Sequence, residues 1–138
     1  MLFEIDYTDK LNGTIRIPAS KSHTIRGVVI ASLAKGTSLL TNPLYSEDTS
    51  AAIDACRLLG AKAKKIGSDL EIVGFNGNPK KPGSVLNMKN SGTSTNLIAS
   101  VAALGNFEVK FTGDKSIKKR PINVLLNSLL DLGAKIIE

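Results

Sequence analysis

The chain has 138 residues, of which 42% are hydrophobic and 22% charged, the composition of a folded domain rather than a disordered one. Eighteen Lys and Arg against twelve Asp and Glu give a net charge of +6, which suits an anionic partner, either nucleic acid or a small phosphorylated molecule. Aromatics are only 4% and Trp is absent, so stacking platforms for nucleic acid are scarce and small anions are the better partner.

The opening, MLFEIDYTDK, is too acidic and too short of apolar residues for a signal peptide. No stretch approaches the length of a membrane span, so a cytoplasmic protein with no membrane partner is expected. Residues 1–19 read as lead-in strands, with a short strand at about 13–17 (GTIRI). A helix follows from Ser22 to about Leu33, since Ile25, Val29 and Leu33 recur every four residues as one apolar stripe. GTSLLTN reads as a strand, and SEDTSAAIDACRLLG as a helix with acidic residues in its first turn and Gly60 at its end. Cys56 lies mid-helix and reads as a small buried thiol; one Cys excludes an internal disulfide, and one His (His23) leaves no His/Cys metal cluster. AKAKKI and DLEIVG are strands joined by a GSD turn, and residues 74–84 form a loop by composition.

The order then restarts. VLNM is a strand, SGTSTNLIASVAALG a helix, FEVKFTG a strand, and RPINVLLNSLLDLG a helix whose first turn suits Pro121. AKIIE begins a further strand. Ala31 and Leu33 match Ala102 and Leu104, and the run Leu59 to Lys62 matches the run Leu132 to Lys135, at offsets of 71 and 73 residues. The fold class is therefore α/β (α+β) with repeated βαβαββ units: residues 20–84 form the first and 85–138 the second, which lacks its last strand. A chain that ends one strand short of its own repeat reads as truncated.

Each unit opens its first helix with small polar residues. In PASKSHTIR, residues 18–26, Lys21 and Arg26 add positive charge at a helix start, whose free N–H groups are already partly positive. A solvated first turn explains that pattern, and so does an anion site. Ser22 and Arg26 share one face, with Lys21 at the rim. In NSGTS, residues 90–94, Asn90 is a natural N-cap, as Ser20 is in the first unit. Gly92 would let a ligand approach the backbone N–H groups, with Thr93 and Ser94 adding hydroxyls. In GDKSIKKRP, residues 113–121, Lys118 and Lys119 read as solvated. Arg120 precedes a proline, which restricts it to extended conformations and so fixes the direction of a planar guanidinium.

These three segments, in this order and spacing, resemble 5-enolpyruvylshikimate-3-phosphate synthases over essentially the whole chain, including SEDTSAAIDACRLLGA, but only over the N-terminal portion of that longer family chain. The resemblance implies a lobe built from three βαβαββ units. It also implies transfer of the enolpyruvyl group of phosphoenolpyruvate to the 5-hydroxyl of shikimate 3-phosphate, with release of phosphate and no metal or organic cofactor. Carried over by position, Lys21 contacts both substrates, Ser22 and Arg26 hold shikimate 3-phosphate, and Gly92 and Arg120 bind phosphoenolpyruvate, with Asn90 and Thr93 in support. The acid/base carboxylates are expected in the other lobe, supplied by a further segment or a second polypeptide.

Two positions depart from the family pattern. Asn96 stands where an arginine is usual, removing one cation near the site, and Lys89 where glycine is common. UDP-N-acetylglucosamine enolpyruvyl transferases share the fold but typically carry Asn at the position of Ser22 and a reactive Cys at that of Lys115. A non-catalytic anion-binding fragment of a split or decayed enzyme is the other alternative.

Overall fold

Helix α1 (Lys21–Leu33) forms where the apolar stripe predicts it, and buries Ile25, Val28 and Val29 while Lys21, Ser22, His23 and Arg26 stay exposed. The computed structural model describes residues 2–137. Ser20 caps α1, its side chain accepting the His23 backbone N–H at 3.3 Å. Strand β1 (Thr37–Leu40) follows, then α2 (Glu47–Leu58), whose Ser46 and Thr49 satisfy each other's backbone donors in a capping box. Strands β2 (Lys62–Ile66) and β3 (Asp69–Val73) make a hairpin, and β1 adds antiparallel to β3, giving the sheet order β1-β3-β2. Alternation along β3 turns Leu70 and Ile72 inward, at 1% and 0% exposure.

The part of the chain after β3 is sparser in strand residues. Strands β4 (Leu86–Asn87) and β5 (Phe111–Thr112) pair in parallel around the crossover helix α3 (Gly92–Ala102). A 3-10 turn (Ile117–Lys119) precedes α4 (Asn123–Asp131), of which only Leu129 is buried. Helix α1 packs on α2 and α3, and one core joins these helices to both sheets: Ile25, Leu59, Leu70, Ile72, Leu86, Met88 and Ile98 are fully buried. Each such side chain contributes about 1.5–3 kcal/mol.

The loop after β3 closes the end of α1. The N–H groups of Phe75, Gly77 and Asn76 donate to the carbonyls of Ser32, Leu33 and Ala34, at 2.8, 2.9 and 3.1 Å. This satisfies acceptors that the end of a helix otherwise leaves unpaired.

Four expectations are corrected. The lead-in strands are not formed: residues 2–20 hold neither helix nor strand, and Ile15 and Ile17 remain 80% and 70% exposed. Alternation makes a strand only where a neighbouring strand supplies hydrogen-bond partners. Residues 134–137 likewise carry no strand, and the last residue of that expected element, Glu138, lies outside the described residues. The strand expected from FEVKFTG shortens to Phe111–Thr112, because β4 offers only two residues for pairing. Pro121 stands just before α4 rather than in its first turn, with Ile122 at the cap position.

Candidate functional site

The start of α1 presents its cations to solvent. Arg26 folds back along the helix, its Nη1 donating to the Ser22 carbonyl at 3.1 Å, so these two residues share a face. Lys21 leans the other way, onto α2, where its Nζ lies 2.7 Å from Asp48 Oδ2. Both partners of this pair are partly exposed, so it orients Lys21 more than it stabilises the fold.

At the start of α3 the cap is Ser91, not Asn90. Buried Ser91 accepts the Ser94 N–H at 3.3 Å and donates its hydroxyl to Ser94 Oγ at 2.7 Å. Asn90 and Ser91 are both competent caps, and the chain enters the helix one residue later than expected. The Asn90 side chain is thereby left to bond elsewhere, and its Oδ1 accepts Arg120 Nη2 at 3.0 Å. Arg120 has φ −74 and ψ 131, the extended form that a following proline imposes. Its guanidinium crosses the first residue of α3, so a β-carbon on Gly92 would meet Arg120 Nη1 at 2.9 Å. Thr93 is half-buried beside it in the first turn.

The two helix starts are linked. Ser94 Oγ donates to the Asp48 backbone carbonyl at 3.2 Å, while the Asp48 side chain holds Lys21. The path Lys21–Asp48–Ser94–Ser91 thus ties the first turn of α1 to that of α3 through α2. Helices α1 and α3 carry no acidic residue in their first turns, so their N-terminal partial charges are uncompensated there. Arg120 adds a full charge beside the start of α3, whereas that of Lys21, beside α1, is paired with Asp48. Oriented N–H groups, hydroxyls and a planar guanidinium are what multiply charged oxyanions bind. Ser22 and Arg26 contact one another, but among the described residues they make no hydrogen bond to the Gly92–Arg120 pair.

The chain also matches known proteins in sequence and shape. The family model described as EPSP synthase (3-phosphoshikimate 1-carboxyvinyltransferase) matches residues 5–138. The chain belongs to the EPSP synthase family. The 3-phosphoshikimate 1-carboxyvinyltransferase of Acetivibrio thermocellus is 46% identical over 126 residues, covering 91% of this chain and 30% of the relative. That of Methanosphaera stadtmanae is 40% identical over 139 residues, covering 99% of this chain and 32% of the relative. The EPSP synthase from Acinetobacter baumannii superposes with a TM-score of 0.83 at 32% identity, covering 89% of this chain and 28% of that one. The chain thus spans nearly a third of the length of the EPSP synthases it matches, and its α/β fold is that of their enolpyruvyl transferase lobe.

Sequence reasoning passed over Asp48 and Ser91. The acidic first turn of α2 reads as ordinary compensation of a helix end, and nothing in the spacing shows that Asp48 reaches Lys21, 27 positions earlier. Cys56 lies away from these groups, 1% exposed on α2, and burial pushes its thiol up to about 11 against a weaker opposing hydrogen bond with Ser32.

Proposed function

We propose that this chain forms part of the substrate site of an EPSP synthase, the enzyme that transfers the enolpyruvyl group of phosphoenolpyruvate to the 5-hydroxyl of shikimate 3-phosphate. The observation that carries this reading is the Arg120 guanidinium held by Asn90 across Gly92 at the start of α3. A fork of N–H donors beside open backbone N–H groups suits the carboxylate and phosphate of phosphoenolpyruvate. Ser22 and Arg26, on the neighbouring helix start, supply a hydroxyl and a second guanidinium for shikimate 3-phosphate. Lys21, held toward α2 by Asp48, serves both anions.

The mechanistic contribution of these groups is electrostatic. Two multiply charged anions repel each other, and prearranged cations and N–H dipoles offset that repulsion when both are bound. The resemblance implies a tetrahedral intermediate, and positive charge fixed in place stabilises the charge it carries. The proton-transferring groups are assigned to a further segment or polypeptide. Residues 1–138 alone are accordingly expected to bind both anions without releasing phosphate from the pair.

Titration of the chain with phosphoenolpyruvate, shikimate 3-phosphate and UDP-N-acetylglucosamine, each alone and in pairs, tests the reading. Binding of the first two but not the nucleotide sugar is expected. Preference for the nucleotide sugar would move the chain to the sister transferase, and binding of none would refute the site.

A further inference from the structure

Arg120 reaches Gly92 only because the segment before it follows one path, and that path is set by groups with no place among the proposed ligand contacts. Gly113 lies where β5 ends. A β-carbon there would stand 2.6 Å from the Lys89 carbonyl oxygen and would collide with Ile117 Cγ2. The next residue, Asp114, donates its backbone N–H to that same Lys89 carbonyl at 2.9 Å. Its carboxylate then accepts the Ile117 N–H at 2.8 Å, and its carbonyl accepts the Lys118 N–H at 3.2 Å, one α-type turn that leads into the 3-10 turn. The Arg120 N–H donates to the Ile117 carbonyl at 3.1 Å and closes it. Ile117 bridges the two glycines, its Cδ1 lying 3.8 Å from the position a β-carbon on Gly92 would take.

The receiving side is equally specific. Lys89 adopts φ 51, a left-handed conformation that is unfavourable for a residue with a β-carbon. Its N–H is held by Asn87 Oδ1 at 3.0 Å, and its carbonyl is the group that Asp114 meets. The following residue, Asn90, receives the guanidinium. One turn thus anchors both ends of the 114–120 segment.

We propose that Gly113 and Asp114 are positioning residues that latch this segment onto the Lys89–Asn90 turn and so hold the Arg120 guanidinium across Gly92. For its ligand arm the proposal rests on the reading of Gly92 and Arg120 as the phosphoenolpyruvate site. Gly113 is required because only a residue without a β-carbon lets the backbone pass between the Lys89 carbonyl and Ile117. Asp114 is required because its carboxylate starts the turn that reverses the chain toward α3.

The test compares Gly113→Ala, Asp114→Ala, Asp114→Asn and Arg120→Ala in the same chain. Asp114→Ala adds no bulk, so it interrogates the latch without a steric clash, and Asp114→Asn retains an acceptor oxygen for Ile117. Backbone amide resonances of Asn90 and Gly92 report the guanidinium without any ligand. Gly113→Ala and Asp114→Ala should shift them as Arg120→Ala does, and Asp114→Asn should leave them in place. Phosphoenolpyruvate should bind roughly ten- to a hundredfold more weakly to the first two variants, with shikimate 3-phosphate little changed. Adding Arg120→Ala to Gly113→Ala should cost no further affinity, because both changes remove one contact. Unmoved Asn90 and Gly92 amides in both variants, equal losses for both ligands, or additive losses in the double variant would overturn the proposal. Amides that shift as expected in a chain that binds no phosphoenolpyruvate would support the latch and refute the functional reading.

Discussion

The Arg120 guanidinium lies across the α-carbon of Gly92, so close that a methyl group at position 92 would meet its Nη1 at 2.9 Å. The neighbour that would have to move is the tip of a long side chain, and Gly92 is the first residue of α3. Gly92→Ala is therefore expected to change thermal stability little, within about 0.5 kcal/mol, as surface changes usually do. It should nonetheless displace the guanidinium and narrow the approach to the N–H groups. A melting curve beside a phosphoenolpyruvate titration separates the two effects; a large loss of stability with intact binding would contradict the assignment.

Gly74 makes the opposite case. A β-carbon there would lie 2.5 Å from the Ala31 carbonyl oxygen and 2.9 Å from that of Ser32, and would collide with the Ala34 carbonyl. These are backbone atoms at the end of α1, of which the Ser32 and Ala34 carbonyls are held by the N–H groups of Phe75 and Asn76, and they cannot swing aside as a side chain can. Gly74→Ala should cost about 3 kcal/mol. Denaturant unfolding checks this, and a change below about 1 kcal/mol would mean that the loop is free to adjust.

Cys56 should be inert in the folded chain. Its thiol is buried and raised to about 11, so thiolate is scarce and access is closed. Labelling by a thiol reagent near pH ~8 should be slow when folded and fast once unfolded. A thiol whose pKa is higher in the folded state favours folding while it is protonated. That contribution is complete below the unfolded value of 9.0 and is lost as pH rises toward about 11. Over this window stability should fall by about 1.4 kcal/mol per pH unit more in the parent than in Cys56→Ala. Parallel pH curves for the two proteins would contradict the burial argument.

How much of this was legible in the sequence depends on whether the cause is local. The stripe through Ile25 and Val29 and the capping residues of α2 are local, and those helices stand where the pattern puts them. The extended backbone of Arg120 is also local, imposed by Pro121. GTIRI at 13–17 has the alternation of a strand but lacks a partner strand among the described residues, and pairing is not a local property. Asn90 and Ser91 are interchangeable as caps on paper; the structure uses Ser91, and the Asn90 side chain meets Arg120, 30 positions away, a contact that no local pattern shows. Asp48 was invisible for the same reason, since only the folded packing of α1 on α2 brings it to Lys21.

The central claim is that three cations at two linked helix starts divide two anions between them. Calorimetric titration of Lys21→Ala, Arg26→Ala and Arg120→Ala with each ligand tests it most directly. Each lost charge-assisted contact is worth about 1.5–3 kcal/mol, or roughly one to two decades in affinity. Arg120→Ala should lose phosphoenolpyruvate and keep shikimate 3-phosphate, Arg26→Ala should do the reverse, and Lys21→Ala should lose both. Unchanged binding of both ligands by the Lys21 and Arg120 variants would contradict the account.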